Sequence, residues 1–178
     1  MVFTSVTIDQ PGKAISAALH GTWLAGCPGV HDADVWLTVG ANSIVSNLGP
    51  VNPAYAFNTA VERGMHLIVI DPRRTELAKR AAIHLQPRPG NDPTVLAGLI
   101  RIIVSERRQD QGFIDAHSTG FDALRQAVDR FTPDFVAARA DLPAERLAEA
   151  ARVYAAGRRG IATVGTGPNM SGRGNLTE

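Results

Sequence analysis

Four short segments of the sequence combine small residues with carboxylate, amide or guanidinium groups, and each follows or adjoins an apolar run. They are Gly40–Ser43, Asp71–Arg74, Pro89–Asp92 and Gly165–Met170. Small residues allow backbone N–H groups to approach a phosphate or a flat ring, while carboxylates accept hydrogen bonds from hydroxyl and ring N–H groups. These residue types therefore indicate possible ligand-binding loops.

The first segment follows the apolar run DVWLTV and offers Asn42 as both a donor and an acceptor. An ordinary turn built on glycine and asparagine is an equally good interpretation of this segment. In the second segment, Asp71 follows HLIVI, and a carboxylate at that position suits a ribose diol. Pro72 would fix the turn, and Arg73 and Arg74 would face phosphate. The alternative is that Asp71 caps a helix beginning near Thr75.

The third segment ends at Asp92, which precedes a helical pattern and is a good candidate for an N-cap. On that interpretation, replacing it with alanine would cost the fold about 1 kcal/mol. The sharper interpretation is that Asp92 accepts hydrogen bonds from the N–H edge of a guanine. The fourth segment lacks the complete G-x-G-x-x-G fingerprint, which argues against a nicotinamide site. The histidines have no metal-ligand spacing, so no metal-binding residue is predicted. Cys27 has no paired histidine nearby and no G-x-S-x-G motif appears, so no catalytic residue is predicted either.

Strand and helix patterns alternate along the chain, which predicts an α/β fold with a largely parallel sheet. The predicted strands are Val2–Ile8, Asp34–Val39, His66–Ile70, Ile83–Gln86 and Ile161–Val164. Helices are predicted over Lys13–Leu24, Ala54–Arg63, Thr75–Ala82 and Pro93–Arg108, in short pieces between Phe113 and Arg139, and from Leu142 to Gly157. Long loops are predicted over Gly40–Pro53 and Gly165–Gly174. Ligands of such sheets bind at the carboxyl ends of the strands, where the four segments lie.

The amino-acid composition excludes several classes of protein and of site. The 178 residues carry 18 Lys and Arg against 17 Asp and Glu, without the basic excess of a nucleic-acid binder. The hydrophobic fraction of 44% suits a globular core, and no run approaches the length of a membrane span. The single cysteine, Cys27, excludes an internal disulfide or a Cys-rich iron–sulfur site within this chain. We expect a cytoplasmic location, with a periplasmic one left open.

The order and spacing of the segments resemble the molybdopterin oxidoreductases, the family of dimethyl-sulfoxide reductases, formate dehydrogenases and nitrate reductases. The string LIVIDPRRTELAKRAAIHLQPRPGNDPTVLAGLIRIIVSE is similar to the central region of that family. DADVWLTVGANSIVSN resembles its strand ending in a Gly-x-Asn loop, and GTGPNMSGRGNLTE resembles a later glycine-rich loop. The pairing of DPR with PGND is the most specific signal, although Asn91 stands where Thr is commoner.

This resemblance implies a Rossmann-like domain, spanning residues 1–178, that holds the guanine dinucleotide end of one pterin of a bis(molybdopterin guanine dinucleotide) cofactor with Mo or W. Asp71 would take ribose hydroxyls and Asp92 would read the guanine edge. The implied cofactor-binding set is Gly40, Ala41, Asn42, Ser43, Asp71, Pro72, Arg73, Gly90, Asn91, Asp92, Gly165, Gly167 and Asn169. The metal ligand, an iron–sulfur cluster and further domains would lie on sequence outside this chain.

We therefore expect the chain to be a piece of a longer oxidoreductase, with an unassigned electron-transfer partner, and to be inactive alone. Two alternatives stay open at this point. One is a non-catalytic scaffold or assembly module with the same fold. The other is a nicotinamide-nucleotide domain, which would bind NADH without preferring guanine.

Overall fold

The computed structural model describes residues 29–46 and 52–177, together with Ile15 and Ala18. The predicted strand Val2–Ile8 lies outside the described residues. The predicted helix Lys13–Leu24 also lies outside them, apart from those two residues.

A four-stranded parallel sheet forms the centre of the described structure. Its strands are β1 (Val35–Val39), β2 (His66–Ile70), β3 (Ile83–Leu85) and β4 (Gly160–Val164). Their spatial order is β3-β2-β1-β4, with every neighbouring pair parallel. The predicted α/β class and these four strands are confirmed. Because the chain first adds strands on one side of β1 and later places β4 on the other side, the order reverses between β1 and β4. Open α/β sheets bind ligands at such a reversal.

Helices flank the sheet. They are α1 (Ser43–Ser46), α2 (Pro53–Glu62), a 3₁₀ helix (Ala78–Arg80), α3 (Asp92–Ser105), α4 (Gln111–His117), α5 (Phe121–Val128), α6 (Pro133–Ala140), α7 (Ala144–Ala156), α8 (Thr166–Asn169) and α9 (Gly174–Thr177). No helix among the described residues is long and apolar enough to cross a membrane.

The alternation of side chains along β1 divides the core into two apolar clusters. Val35, Leu37 and Val39 join the larger cluster, which α3, α6 and α7 cover. Trp36 joins the smaller cluster on the opposite face, where Phe57 of α2 meets it edge to face at 6.4 Å between ring centroids. Burial on both faces explains why β1 and β2 read as nearly continuous apolar runs.

Local differences from the sequence predictions have identifiable causes. The predicted helix Thr75–Ala82 is only a short 3₁₀ helix, and the Thr75 hydroxyl accepts a hydrogen bond from the Ala78 amide at 3.2 Å. The predicted loop Gly40–Pro53 contains α1, and the loop Gly165–Gly174 contains α8 and the start of α9. Short helices at glycine-rich sites depend on tertiary packing, which residue propensity does not report.

Asp92 is not the N-cap that the sequence pattern predicts. It is the first residue of α3, Asn91 precedes it at the N-cap position, and the N-cap side chain makes no capping hydrogen bond. The expected loss of about 1 kcal/mol for a missing cap therefore does not apply to an Asp92 substitution.

Glu106 links the end of α3 to α7, and we expect this link to make the fold sensitive to acid. Its carboxylate accepts hydrogen bonds from Arg152 Nη2 and Arg108 Nε, each at 2.7 Å. These guanidinium groups lower the pKa of Glu106 from 4.5 to about 2. A lowered pKa contributes stability above the unfolded value, and this contribution is lost as the pH falls through about 2.

In the Glu106→Gln variant, urea unfolding at pH 7 and pH 3 should therefore show a smaller loss of stability on acidification than in the parent chain. The control is Glu149→Gln, which removes a single exposed ion pair with Arg146 within α7. Equal acid losses in the parent and the Glu106→Gln variant would contradict the role of Glu106.

Candidate functional site

A cleft of about 510 Å³ lies at the carboxyl edge of the sheet, and it receives residues from all four predicted segments. Its volume is in the range of about 300–1,000 Å³ that is usual for small-molecule sites. The predicted site residues that line it are Gly40, Asp71, Pro72, Arg73, Gly90, Asp92 and Gly167. The parallel sheet brings them together because each follows the carboxyl end of a strand, on both sides of the strand-order reversal.

Two glycines allow the loops after β1 and β4 to pack closely against each other. Gly40 has a φ of 58°, and a Cβ atom there would overlap the side chain of Pro168. A Cβ atom on Gly165 would overlap the carbonyl oxygen of Gly40. Their amides are tied to the sheet, since Gly40 N–H donates to Ile70 O and Gly165 N–H donates to Val39 O, each at 2.8 Å. These glycines are thus required for loop packing, whatever else the loops contact.

Asp71 is a buried carboxylate at the floor of the cleft, with 2% of its surface exposed. Its Oδ1 accepts a hydrogen bond from the Arg73 backbone N–H at 2.8 Å and lies 3.7 Å from Arg73 Nε. This is the local turn that aspartate commonly forms with the residue two positions later. Oδ2 accepts no hydrogen bond from the described residues. Asp71 does not cap a helix at Thr75, because the Thr75 hydroxyl itself accepts from Ala78.

Asp92 is the second carboxylate of the cleft, and 7% of its surface is exposed. No cation among the described residues forms an ion pair with it. Burial raises the pKa of Asp92, and the negative charge of Asp71 raises it further, whereas its own backbone N–H lowers it. The cleft therefore presents two carboxylate acceptors, and Asp92 has no neutralising partner in the part of the chain that the structure describes. Such a site favours ligands that donate hydrogen bonds from neutral groups.

Asn42 is directed away from the cleft. Its Nδ2 donates to Glu76 Oε2 at 2.7 Å, and its Oδ1 accepts from the Leu77 backbone N–H at 3.2 Å. The amide therefore joins the loop after β1 to the segment that leads into the 3₁₀ helix. Both functions of the side chain are used within the protein.

The other predicted residues outside the cleft lining also have structural contacts. Ser43 is buried at the start of α1. The Asn91 amide donates to Arg88 O at 3.1 Å on the outer side of its loop. Asn169 is buried, and its amide donates to Gly165 O at 3.3 Å. Ala41 and Gly165 belong to the packed loop pair described above.

The set of binding residues predicted from the sequence omits part of the apolar rim. Pro87, Pro168 and Met170 also line the cleft, and Met170 is 60% exposed. Pro87 just before the third segment and Pro168 within the fourth were a usable signal, because proline fixes the backbone of a loop and has no N–H group that needs an acceptor. The position of Met170 depends on α8, which the sequence pattern did not predict.

We expect Asn42→Ala to lower the stability of the fold by about 1–2 kcal/mol, because it removes two hydrogen bonds and leaves the Leu77 amide without its acceptor. The measurement is urea unfolding at pH 7. Asn58→Ala is the control, since it removes one exposed side-chain hydrogen bond, from Arg80. A loss of stability no greater than that of the control would contradict the role of Asn42 in joining the loop after β1 to the segment before the 3₁₀ helix.

The chain was compared with protein families and with known proteins. No protein-family model matches the chain. It is 30% identical over 152 residues to the F420-dependent formate dehydrogenase 1 subunit alpha of Methanococcus maripaludis, covering 84% of this chain and 21% of that protein. It is 29% identical over 154 residues to the thiosulfate reductase molybdopterin-containing subunit PhsA of Salmonella typhimurium, covering 86% of this chain and 20% of that protein.

A solved structure agrees with these relatives. The acetylene hydratase from Pelobacter acetylenicus superposes with a TM-score of 0.83 at 26% sequence identity, over 94% of this chain and 22% of that protein. The chain thus spans about a fifth of the length of the relatives that it matches.

Proposed function

Since the chain belongs to the molybdopterin oxidoreductase family, we propose that residues 1–178 form one Rossmann-like cofactor-binding domain. Its cleft holds the guanine dinucleotide end of one molybdopterin guanine dinucleotide. The observation that carries this proposal is the convergence of Asp71 and Asp92 in one cleft where the strand order reverses.

The residues of the cleft fit that ligand. A ribose diol donates two hydroxyl protons, and Asp71 retains an oxygen without a hydrogen-bond partner among the described residues. The guanine edge offers a ring N–H and an amino group to a single carboxylate, and Asp92 supplies one that no cation of the described residues pairs with. Gly40 and Gly167 present backbone rather than side chain to the phosphates, and the exposed Arg73 side chain adds a positive charge at the rim.

In the complete enzyme, the Mo or W ion carried by the pterin would supply the electron-transfer chemistry. The residues of this chain bind and orient the nucleotide end, and none of them is assigned a catalytic role. We expect the chain alone not to turn over substrate.

The complete protein is proposed to be an oxidoreductase that carries two such pterins, with an iron–sulfur cluster and further domains outside this chain. The named relatives include two redox enzymes and a hydratase, so we assign no substrate.

Calorimetric titration of the chain with GDP, ADP and NADH tests the proposed function. We expect GDP to bind more tightly than ADP, because adenine presents a donor and an acceptor in a different arrangement at the edge that Asp92 would read. A preference for NADH would instead favour a nicotinamide-nucleotide domain. Equal affinities for GDP and ADP would remove the assignment of guanine to Asp92.

A further inference from the structure

A second concave surface lies beside the cleft. This arginine groove is lined by Arg88, Asn91, Phe135, Ala138 and Arg139, and its volume is about 470 Å³. It shares a single loop with the cleft. The residues of that loop divide between the two sites, since Pro87, Pro89, Gly90 and Asp92 line the cleft, whereas Arg88 and Asn91 line the groove. The loop thus separates an acidic site from a basic one.

The charges of the arginine groove are largely uncompensated. Arg139 forms no hydrogen bond or ion pair with the residues that the structure describes. Arg88 has one long contact, 3.8 Å from its Nη2 to Asp141 Oδ2, between side chains that are 63% and 79% exposed. Exposed pairs of this kind are weak. Among the described residues, no acidic side chain lines the groove. Asp134 in α6 and Asp141 just after that helix are the neighbouring acidic residues.

An exposed aromatic ring lines the groove together with these two arginines. Phe135 is 41% exposed although it is a large apolar residue. Its ring meets Phe131 edge to face with 5.7 Å between centroids, and the Arg130 guanidinium lies 4.9 Å from the Phe131 centroid. These contacts fix the ring and add a third positive charge nearby. The groove therefore combines an oriented apolar surface with two guanidinium groups.

We propose that the arginine groove docks an acidic segment of a partner protein. Carboxylates of that segment would accept bidentate hydrogen bonds from Arg88 and Arg139, and an apolar side chain between them would pack on Phe135. The exposure of the lining side chains, 63% for Arg88 and 41% for Phe135, favours a polypeptide over a free small anion. Small-molecule sites bury about 70–90% of their ligand, whereas a protein partner covers exposed side chains with its own surface.

The test is a titration of the ¹⁵N-labelled chain with a short peptide of four glutamates around one phenylalanine, followed through the arginine side-chain resonances. We expect the Arg88 and Arg139 signals to shift, and the affinity to fall as salt is added. Arg139→Gln should weaken binding by about two- to fivefold, the range measured for exposed charge pairs. Arg158→Gln is the matched control, because Arg158 is an exposed arginine without a described partner just before β4, near the opposite edge of the sheet.

The proposal is overturned if the acidic peptide does not bind, if it binds no better than the same peptide with glutamine in place of glutamate, or if Arg158→Gln weakens it equally. It is also overturned if inorganic pyrophosphate shifts the same arginine signals more strongly than the peptide does, since that result would assign the groove to a free anion. These measurements use no guanine nucleotide, and so their outcome is independent of the proposed cofactor role of the cleft.

Discussion

Replacing Asp92 with asparagine should weaken GDP binding by roughly ten- to a hundredfold while stabilising the free protein at neutral pH. The loss of affinity follows from the loss of a charged acceptor. A carboxylate accepts both N–H groups of the guanine edge, whereas an asparagine amide presents only one acceptor and turns a donor towards the other N–H. ADP binding should change much less, because adenine does not present that pair of donors.

The gain in stability follows from the raised pKa of Asp92. Burial and the neighbouring Asp71 both disfavour the charged carboxylate in the folded state. A raised pKa contributes stability that is fully present below the unfolded value of 3.8 and is lost as the pH rises through the folded value. Asparagine does not ionise, so the variant retains that contribution at pH 7. Urea unfolding of both proteins at pH 7 measures the difference.

Asp134→Asn is the control for this experiment, because Asp134, like Asp92, lies in the first turn of a helix beside a proline but is outside the cleft. It should change neither the affinity for GDP nor the preference over ADP. If Asp92→Asn leaves both affinities unchanged, Asp92 does not read the base. If it also destabilises the fold, the carboxylate has a structural role instead.

Replacing Gly40 with alanine should lower the free energy of unfolding by about 2–5 kcal/mol and abolish GDP binding. A left-handed backbone costs a non-glycine residue roughly 1–2 kcal/mol, and forcing an extra carbon into packed surroundings costs about 1–3 kcal/mol more. An alanine at position 40 incurs both costs, since the backbone φ there is 58° and the added Cβ would overlap Pro168. Domains have only about 5–15 kcal/mol of stability, so this is a large share.

The matched control is Gly120→Ala. Gly120 has a φ of 80° just before α5, and a Cβ there would meet nothing within 4 Å. The Gly120→Ala variant should lose only roughly 1–2 kcal/mol of stability, from the left-handed backbone alone, and should bind GDP normally. If the two variants lose equal stability, the close packing of the loops after β1 and β4 is not what requires glycine at position 40.

Much of the fold could be predicted because burial leaves a direct pattern in the sequence. The strands β1 and β2 are buried on both faces, and the apolar runs around Leu37 and Ile68 report this. Parallel strands place their carboxyl ends at one edge, so the meeting of Asp71 and Asp92 in one cleft also followed from the topology.

What could not be predicted was the direction of individual side chains. Asn42 and Asp71 both follow the carboxyl ends of strands, but the first bonds to Glu76 and the second lines the cleft. That choice depends on a segment more than 30 positions further along the chain, and local spacing carries no information about it. The loop around Gly90 likewise divides between two sites where its Arg88 N–H donates to Ala140 O at the end of α6, a contact that local spacing does not report.

The most direct measurement of the central claim is a map of where GDP binds on the ¹⁵N-labelled chain. We expect GDP to shift the backbone amide signals of Gly40, Asp71, Asp92 and Gly167 together, with ADP at the same concentration producing smaller shifts at Asp92. Shifts confined to other surfaces, or the same shifts at Asp92 with ADP and GDP, would contradict the assignment of this cleft to a guanine dinucleotide.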